Sequence, residues 1–129
     1  TVGRAMKRYG EEHAMRPVPA TVTEGRIQPV IDYILGHCEE PLGLDEIAQQ
    51  FYFSPSHLSR LFRRSTGFTY SEFVQLVRIR RAQELLRTTD QKVLEIAEAS
   101  GFGNLSHFQH TFRKHTGMTP LKYRKELQR

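Results

Sequence analysis

Apolar residues recur at helical spacing along most of this chain. Ile27, Val30, Ile31, Ile34 and Leu35 share one stripe and predict a first helix over about 25–38. Pro29 fits that helix if it lies in the first turn, and "EEPLG" at 39–43 ends it. Leu44, Ile47, Ala48 and Phe51 predict a short second helix. Ser54-Pro55 marks the next start, an N-cap followed by proline at the first helical position. Leu58, Leu61 and Phe62 form the inward side of the third helix, which Gly67 closes. Thr69 and Glu72 fit a capping box ahead of a long helix over 70–88, with Phe73, Leu76, Val77, Ile79, Ala82, Leu85 and Leu86 on its apolar side. Val93, Ile96 and Ala97 predict a fifth helix, and Phe108 and Phe112 a sixth that Gly117 closes. Thr119-Pro120 opens a last helix reaching about Leu127. No credible strand is seen, so the fold class is all-α with about seven helices.

The pattern is written twice. "SHLSRLFRRSTGFT" at 56–69 returns as "SHFQHTFRKHTGMT" at 106–119, with seven of fourteen positions identical. Upstream, "IAQQFYFS" at 47–54 aligns with "IAEASGFG" at 96–103, and one residue is inserted before the second "SH". Each copy reads as a short helix, a tight turn and a second helix, over 44–66 and 92–116, joined by the linker helix over 70–88. Ala97 followed four residues later by Gly101 is a helix-turn-helix signature: the small residue lets two helices cross closely and the glycine accepts a positive φ. Ala48 supplies the first half of that signature in the first copy, but Tyr52 holds the glycine position. A strained or differently built first turn is expected there. Residues 1–23 lack the pattern, broken by "RPVPATVTEG", and read as a linker or the remnant of an upstream domain ahead of a domain over 24–129.

Charge changes the picture more than composition does. The net charge is +5, but residues 54–89 carry seven Arg against two Glu, whereas 24–53 carry one Arg against six acids. No acid lies between Glu46 and Glu72, nor between Glu98 and Glu126, and both copies of the repeated phrase sit in these windows. A cationic face without carboxylates attracts a polyanion. No run approaches the roughly 18 apolar residues of a membrane-spanning helix, and no apolar stretch near the start resembles a signal peptide. Cys38 is the sole cysteine, so no internal disulfide forms and a reducing, cytoplasmic setting is expected.

The phrase itself indicates what the polyanion is. Ser56, Ser59, Arg60 and Arg63 fall at i, i+3, i+4 and i+7, opposite the apolar side, with Arg64 beside them. In the second copy Ser106, Gln109, His110 and Arg113 face outward, flanked by Lys114. Short polar side chains let a helix approach the DNA major groove, Arg can grip guanine in bidentate fashion, and Gln can do so for adenine. Flanking cations reach phosphates, which position without specifying.

From about residue 27 to 125 the chain resembles the DNA-binding region of the AraC/XylS family of bacterial transcription regulators. The residues that carry the likeness are "LDEIAQQFYFSPSHLSRLFRRSTGFT", "VRIRRAQELLRTT" and "VLEIAEASGFGNLSHFQHTFRKHTGMTPLKYR". The resemblance implies two helix-turn-helix units on one linker helix, each recognition helix entering its own major groove of double-stranded DNA. It puts base reading on Ser56, Ser59 and Arg60, and on Ser106, His107, Gln109 and His110 with Leu105 at their edge, where it either packs or touches a thymine methyl. Arg63, Arg64, Arg113 and Lys114 are assigned to phosphates or groove edges. The family likeness also implies contact with RNA polymerase, usually for activation, and effector binding or dimerisation through an upstream domain.

Other readings compete. His107 and His110 have metal-ligand spacing, but no acid lies near them in sequence and Cys38 is distant, so no metal is expected. No Gly-rich phosphate loop, no G-x-S-x-G and no paired carboxylates on exposed faces point to an enzyme or a cofactor. A helical protein-interaction module would explain the duplication but not the acid-free faces. RNA binding would want exposed stacking aromatics, which these faces lack.

Overall fold

Each apolar stripe folds as a helix in the computed structural model, which describes residues 22–128 with side chains from Arg26. The elements are α1 Val22–Gly36, α2 Leu44–Gln50, α3 Pro55–Thr66, α4 Tyr70–Thr88, α5 Val93–Ala99, α6 Leu105–Thr116 and α7 Pro120–Leu127, with no strand among the described residues. The tether expected over 1–23 lies outside the described residues except for its last two, which already belong to α1.

α1 starts three residues earlier than its apolar stripe predicted, so Pro29 stands in its second turn rather than its first. The ring is exposed there, and water can serve the carbonyl that lost its i+4 donor. α4 has the predicted bounds. The Thr69 hydroxyl accepts the Glu72 amide at 3.1 Å and the Glu72 carboxylate accepts the Thr69 amide at 3.1 Å, closing the capping box.

Buried positions on α4 do not form one stripe. Tyr70, Phe73, Val74, Leu76, Val77, Ile79, Ala82 and Leu86 spread around the helix because both units pack on it. In the first unit α1 and α3 pack against it, and α2 packs on α3. In the second, α5, α6 and α7 pack on it, so α4 closes one repeat and opens the next. The aromatic core repeats accordingly. Phe62 meets Phe73 edge-on at 5.3 Å, and Phe112 meets Tyr123 edge-on at 5.4 Å, where α7 takes the place that α4 holds in the first unit.

Candidate nucleic-acid interface

The two recognition helices are built alike from end to end. Ser54 Oγ accepts the His57 amide at 3.2 Å at the start of α3. The inserted residue of the second copy moves that job to Asn104, whose Oδ1 accepts the His107 amide at 2.9 Å. At the far ends Thr66 Oγ1 donates to the Phe62 carbonyl at 2.7 Å, and Thr116 Oγ1 to the Phe112 carbonyl at 2.8 Å. Each hydroxyl also accepts an amide two residues on, from Phe68 and Met118, across glycines in left-handed conformation. This local bonding is why the "TG-x-T" ending occurs twice.

The turns match too. Phe53 N–H donates to the Ala48 carbonyl and Phe102 N–H to the Ala97 carbonyl, both at 2.8 Å. Tyr52 adopts φ +64 where Gly101 adopts φ +98. Of the two outcomes expected for the first turn, the structure takes the strained one, with the glycine-type conformation held by a tyrosine whose side chain is 89% exposed.

Leu58, Leu61 and Phe62 of α3 are buried, as are Phe108, Thr111 and Phe112 of α6. Thr111 is a polar residue in the place of Leu61, which concealed its inward position in the sequence. On the outward faces Ser56, Arg60, Arg63 and Arg64 are exposed and Ser59 is half-buried. Ser106, His107, Gln109, His110, Arg113 and Lys114 are all exposed, with Leu105 at the start of the helix also exposed. The side chains singled out thus gather on one face of each recognition helix. His107 is also held laterally, edge-on to Phe102 at 5.7 Å, as His57 is to Phe53 at 5.6 Å. An open hollow of about 440 Å³ lies beside α3, lined by Ser59, Arg60, Arg63, Arg64 and Thr69.

The acid-free windows of the sequence are not acid-free in space. Glu72, at the start of α4, comes within 3.8 Å of Arg63. Hydrogen bonds from the Thr69 amide and hydroxyl hold its carboxyl below the usual carboxylate range, and the charges of Arg63 and Lys114 lower it further. One carboxylate therefore stands between cations of both units, a neighbour that sequence distance hid. His115 is half-buried, and its Nε2 has no partner among the described residues. Burial lowers its pKa, assisted by the adjacent Lys114 charge and opposed by Glu72. Among the described residues no three His, Cys, Asp or Glu side chains gather to hold a metal ion, and no helix is long and apolar enough to cross a membrane.

Known proteins share this arrangement. The helix-turn-helix domain family matches residues 47–126. The chain is 34% identical over 107 residues to YijO of Escherichia coli and 36% identical over 115 residues to YfiF of Bacillus subtilis, both named as HTH-type transcriptional regulators. These alignments take in 83% and 87% of this chain but only 38% and 36% of those regulators. In structure it is similar to the C-terminal domain of AraT, a response regulator from Geobacillus stearothermophilus, at TM-score 0.78 and 28% identity over 82% of this chain and 88% of that one. An AraC-type regulator from Chromobacterium violaceum follows at TM-score 0.75 and 31% identity, with 81% and 93% covered. The DNA-binding domain of AdpA, solved with a target DNA, superposes at TM-score 0.76 and 30% identity, with 78% and 91% covered. With two helix-turn-helix units on one shared helix, the chain belongs to the AraC-type family of DNA-binding transcription regulators.

Proposed function

We propose that this domain reads an asymmetric double-stranded DNA site, with α3 and α6 entering adjacent major grooves. The observation that carries the reading is the duplication of a recognition helix whose cap, turn, inward aromatics and outward polar face are all repeated. α4 has 19 residues, about 28 Å at roughly 1.5 Å per residue, and successive grooves on one face of DNA lie about 34–36 Å apart. A rod of that length with a recognition helix off each end suits two adjacent turns. Ser56, Ser59 and Arg60 read one half of the site, and Ser106, His107, Gln109 and His110 the other. Arg63, Arg64, Arg113 and Lys114 serve the phosphates. AdpA, a relative in fold, was solved on DNA, which supports the partner class. The reading requires no cofactor and no catalytic group. Activation through RNA polymerase in a bacterial cytoplasm, with sensing or dimerisation by an upstream domain, follows from the family likeness.

A footprint tests it. One monomer should protect about two helical turns of a non-palindromic site. Protection of one turn, or a requirement for a symmetric dimer site, would overturn the two-groove reading.

A further inference from the structure

Arginines in matching places brace the two turns. Arg26-Ile27 begins the core stripe of α1 and Arg78-Ile79 the corresponding stripe of α4. Ile27, Val30 and Ile34 are buried, and so are Ile79, Ala82 and Leu86 at the same spacing. Arg26 lies on the turn of its own unit: its guanidinium is 4.5 Å from the Phe53 ring centroid and donates to the Tyr52 carbonyl at 3.4 Å. Arg78 lies on the second turn in the same way, so close that a Cβ on Gly101 would stand 2.7 Å from its Nε.

There the copies diverge. Arg78 reaches past its own unit into the α1–α2 connection of the first. Its Nε donates to the Cys38 carbonyl and its NH2 to the Glu40 carbonyl, each at 2.8 Å. Tyr70, also on α4, donates its hydroxyl to the Leu42 carbonyl of the same connection at 2.8 Å. The Cys38 carbonyl is moreover the nearest neighbour that a Gly101 Cβ would meet. Two backbone groups from separate units thus touch at one half-buried guanidinium. A planar fork bonded to two fixed carbonyls resists rotation as a lysine cannot, and partial burial strengthens both bonds. α6 begins with the Asn104 cap, three residues beyond Gly101, so tilting this turn tilts the recognition helix.

We propose that Arg78 is a positioning residue for DNA recognition: it locks the turn of the second unit against the α1–α2 connection of the first and so sets the placement of α6 relative to α3. Gly101 is glycine because the strut passes through the space of a side chain. The proposal rests on the two-groove reading.

The test uses the full chain and a selected two-half DNA site with none, one or two base pairs inserted between the halves. Each inserted pair turns the second groove by about 35° and shifts it by about 3.4 Å. Wild type should lose about tenfold in affinity on the first insertion, as a rigid linkage loses its effective concentration. Arg78→Ala should bind the native spacing about tenfold more weakly and vary by less than about threefold across spacings. Its affinity for either half alone should equal that of wild type, and Arg78→Lys should fall between. A wild-type spacing profile in Arg78→Ala, or equal losses on full and half sites, would overturn the strut. If Arg78→Ala does not fold by circular dichroism, Arg78→Lys and Gly101→Ala, which displaces the side chain without removing its charge, decide the matter. An unblunted profile in both refutes the proposal, and a blunted one sustains it. If wild type binds the full site no better than a half, the two-groove reading fails, and the strut with it.

Discussion

Tyr52 and Gly101 occupy one position of one turn, yet only one is glycine, and the difference lies in what approaches each Cβ. Arg26 touches the Tyr52 carbonyl and leaves its side chain in water, whereas Arg78 and the Cys38 carbonyl fill the space above Gly101. A left-handed backbone costs a residue with a Cβ about 1–2 kcal/mol, and displacing a charged hydrogen bond costs roughly 1.5–3 more. Gly101→Ala should therefore destabilise by about 2.5–5 kcal/mol in urea unfolding. Tyr52→Gly relieves strain but frees the unfolded chain by a similar amount, so it should stay within about 0.5 kcal/mol of wild type. Equal losses at both positions would show that packing does not separate the turns. His115 supplies a pH test. Its folded pKa is depressed by burial, so its contribution is complete above the ordinary histidine value of 6.5 and is lost as pH falls below that. Between about pH 7.5 and 5.5, above the carboxylate range, wild type should lose stability that His115→Ser, which imports the residue of the first copy, retains. An identical loss in both proteins would place the titration elsewhere.

Among the elements, α3 and α6 share a frame but differ in reading surface. Arg60 is exposed on α3 beside Ser56, while the corresponding place on α6 holds His110. A bidentate arginine on guanine discriminates by roughly 1–3 kcal/mol. Arg60→Ala should accordingly relax preference at one or two adjacent base pairs in one half of the site and leave the other half unchanged. Sequence selection returning one motif for both proteins would remove Arg60 from base reading. Helix boundaries and inward faces were legible in the chain wherever a cap coincided with an apolar period: Thr69 with Glu72, Ser54 with Pro55, Thr119 with Pro120. Legibility failed where one signal displaced another. The apolar stripe of α1 begins only at Ile27, so the polar turn ahead of it, from Val22, is not marked and Pro29 falls in the second turn, and the hydroxyl of Thr111 disguises a core position. Arg26 and Arg78 carry no mark in the pattern, because backbone carbonyls are among their partners and sequence patterns are blind to those. Aligning "RIQPVIDYIL" with "RIRRAQELLR" would have exposed them.

For the whole molecule the decisive quantity is how charge is shared between the two units. Arg64 and Lys114 are exposed beside the outward faces. Neutralising either should weaken binding to all sequences alike and reduce the slope of log affinity against log salt by about one. Glu72 acts in the opposite sense. Its carboxyl is held below the usual carboxylate range by the Thr69 amide, so it is a fixed negative charge at neutral pH. It stands 3.8 Å from Arg63 and within the field of Lys114, so under the proposed phosphate contacts it would compete with DNA for cations of both units. Glutamine at the same place still closes a capping box, and Glu72→Gln therefore removes the charge while keeping the start of α4. The variant should bind any duplex several-fold more tightly at low salt, with unchanged base preference, because a phosphate-facing charge alters affinity without specifying. The gain should shrink as salt rises and the Debye length falls from about 10 Å at 0.1 M toward 3 Å at 1 M. It should also shrink when wild type is compared with the variant in an Arg63→Ala, Lys114→Ala background, since the two cations whose charges act on this carboxyl would then be gone. A salt-independent gain, or one undiminished in that background, would mean that Glu72 acts through the fold and not through the field these two units present to DNA.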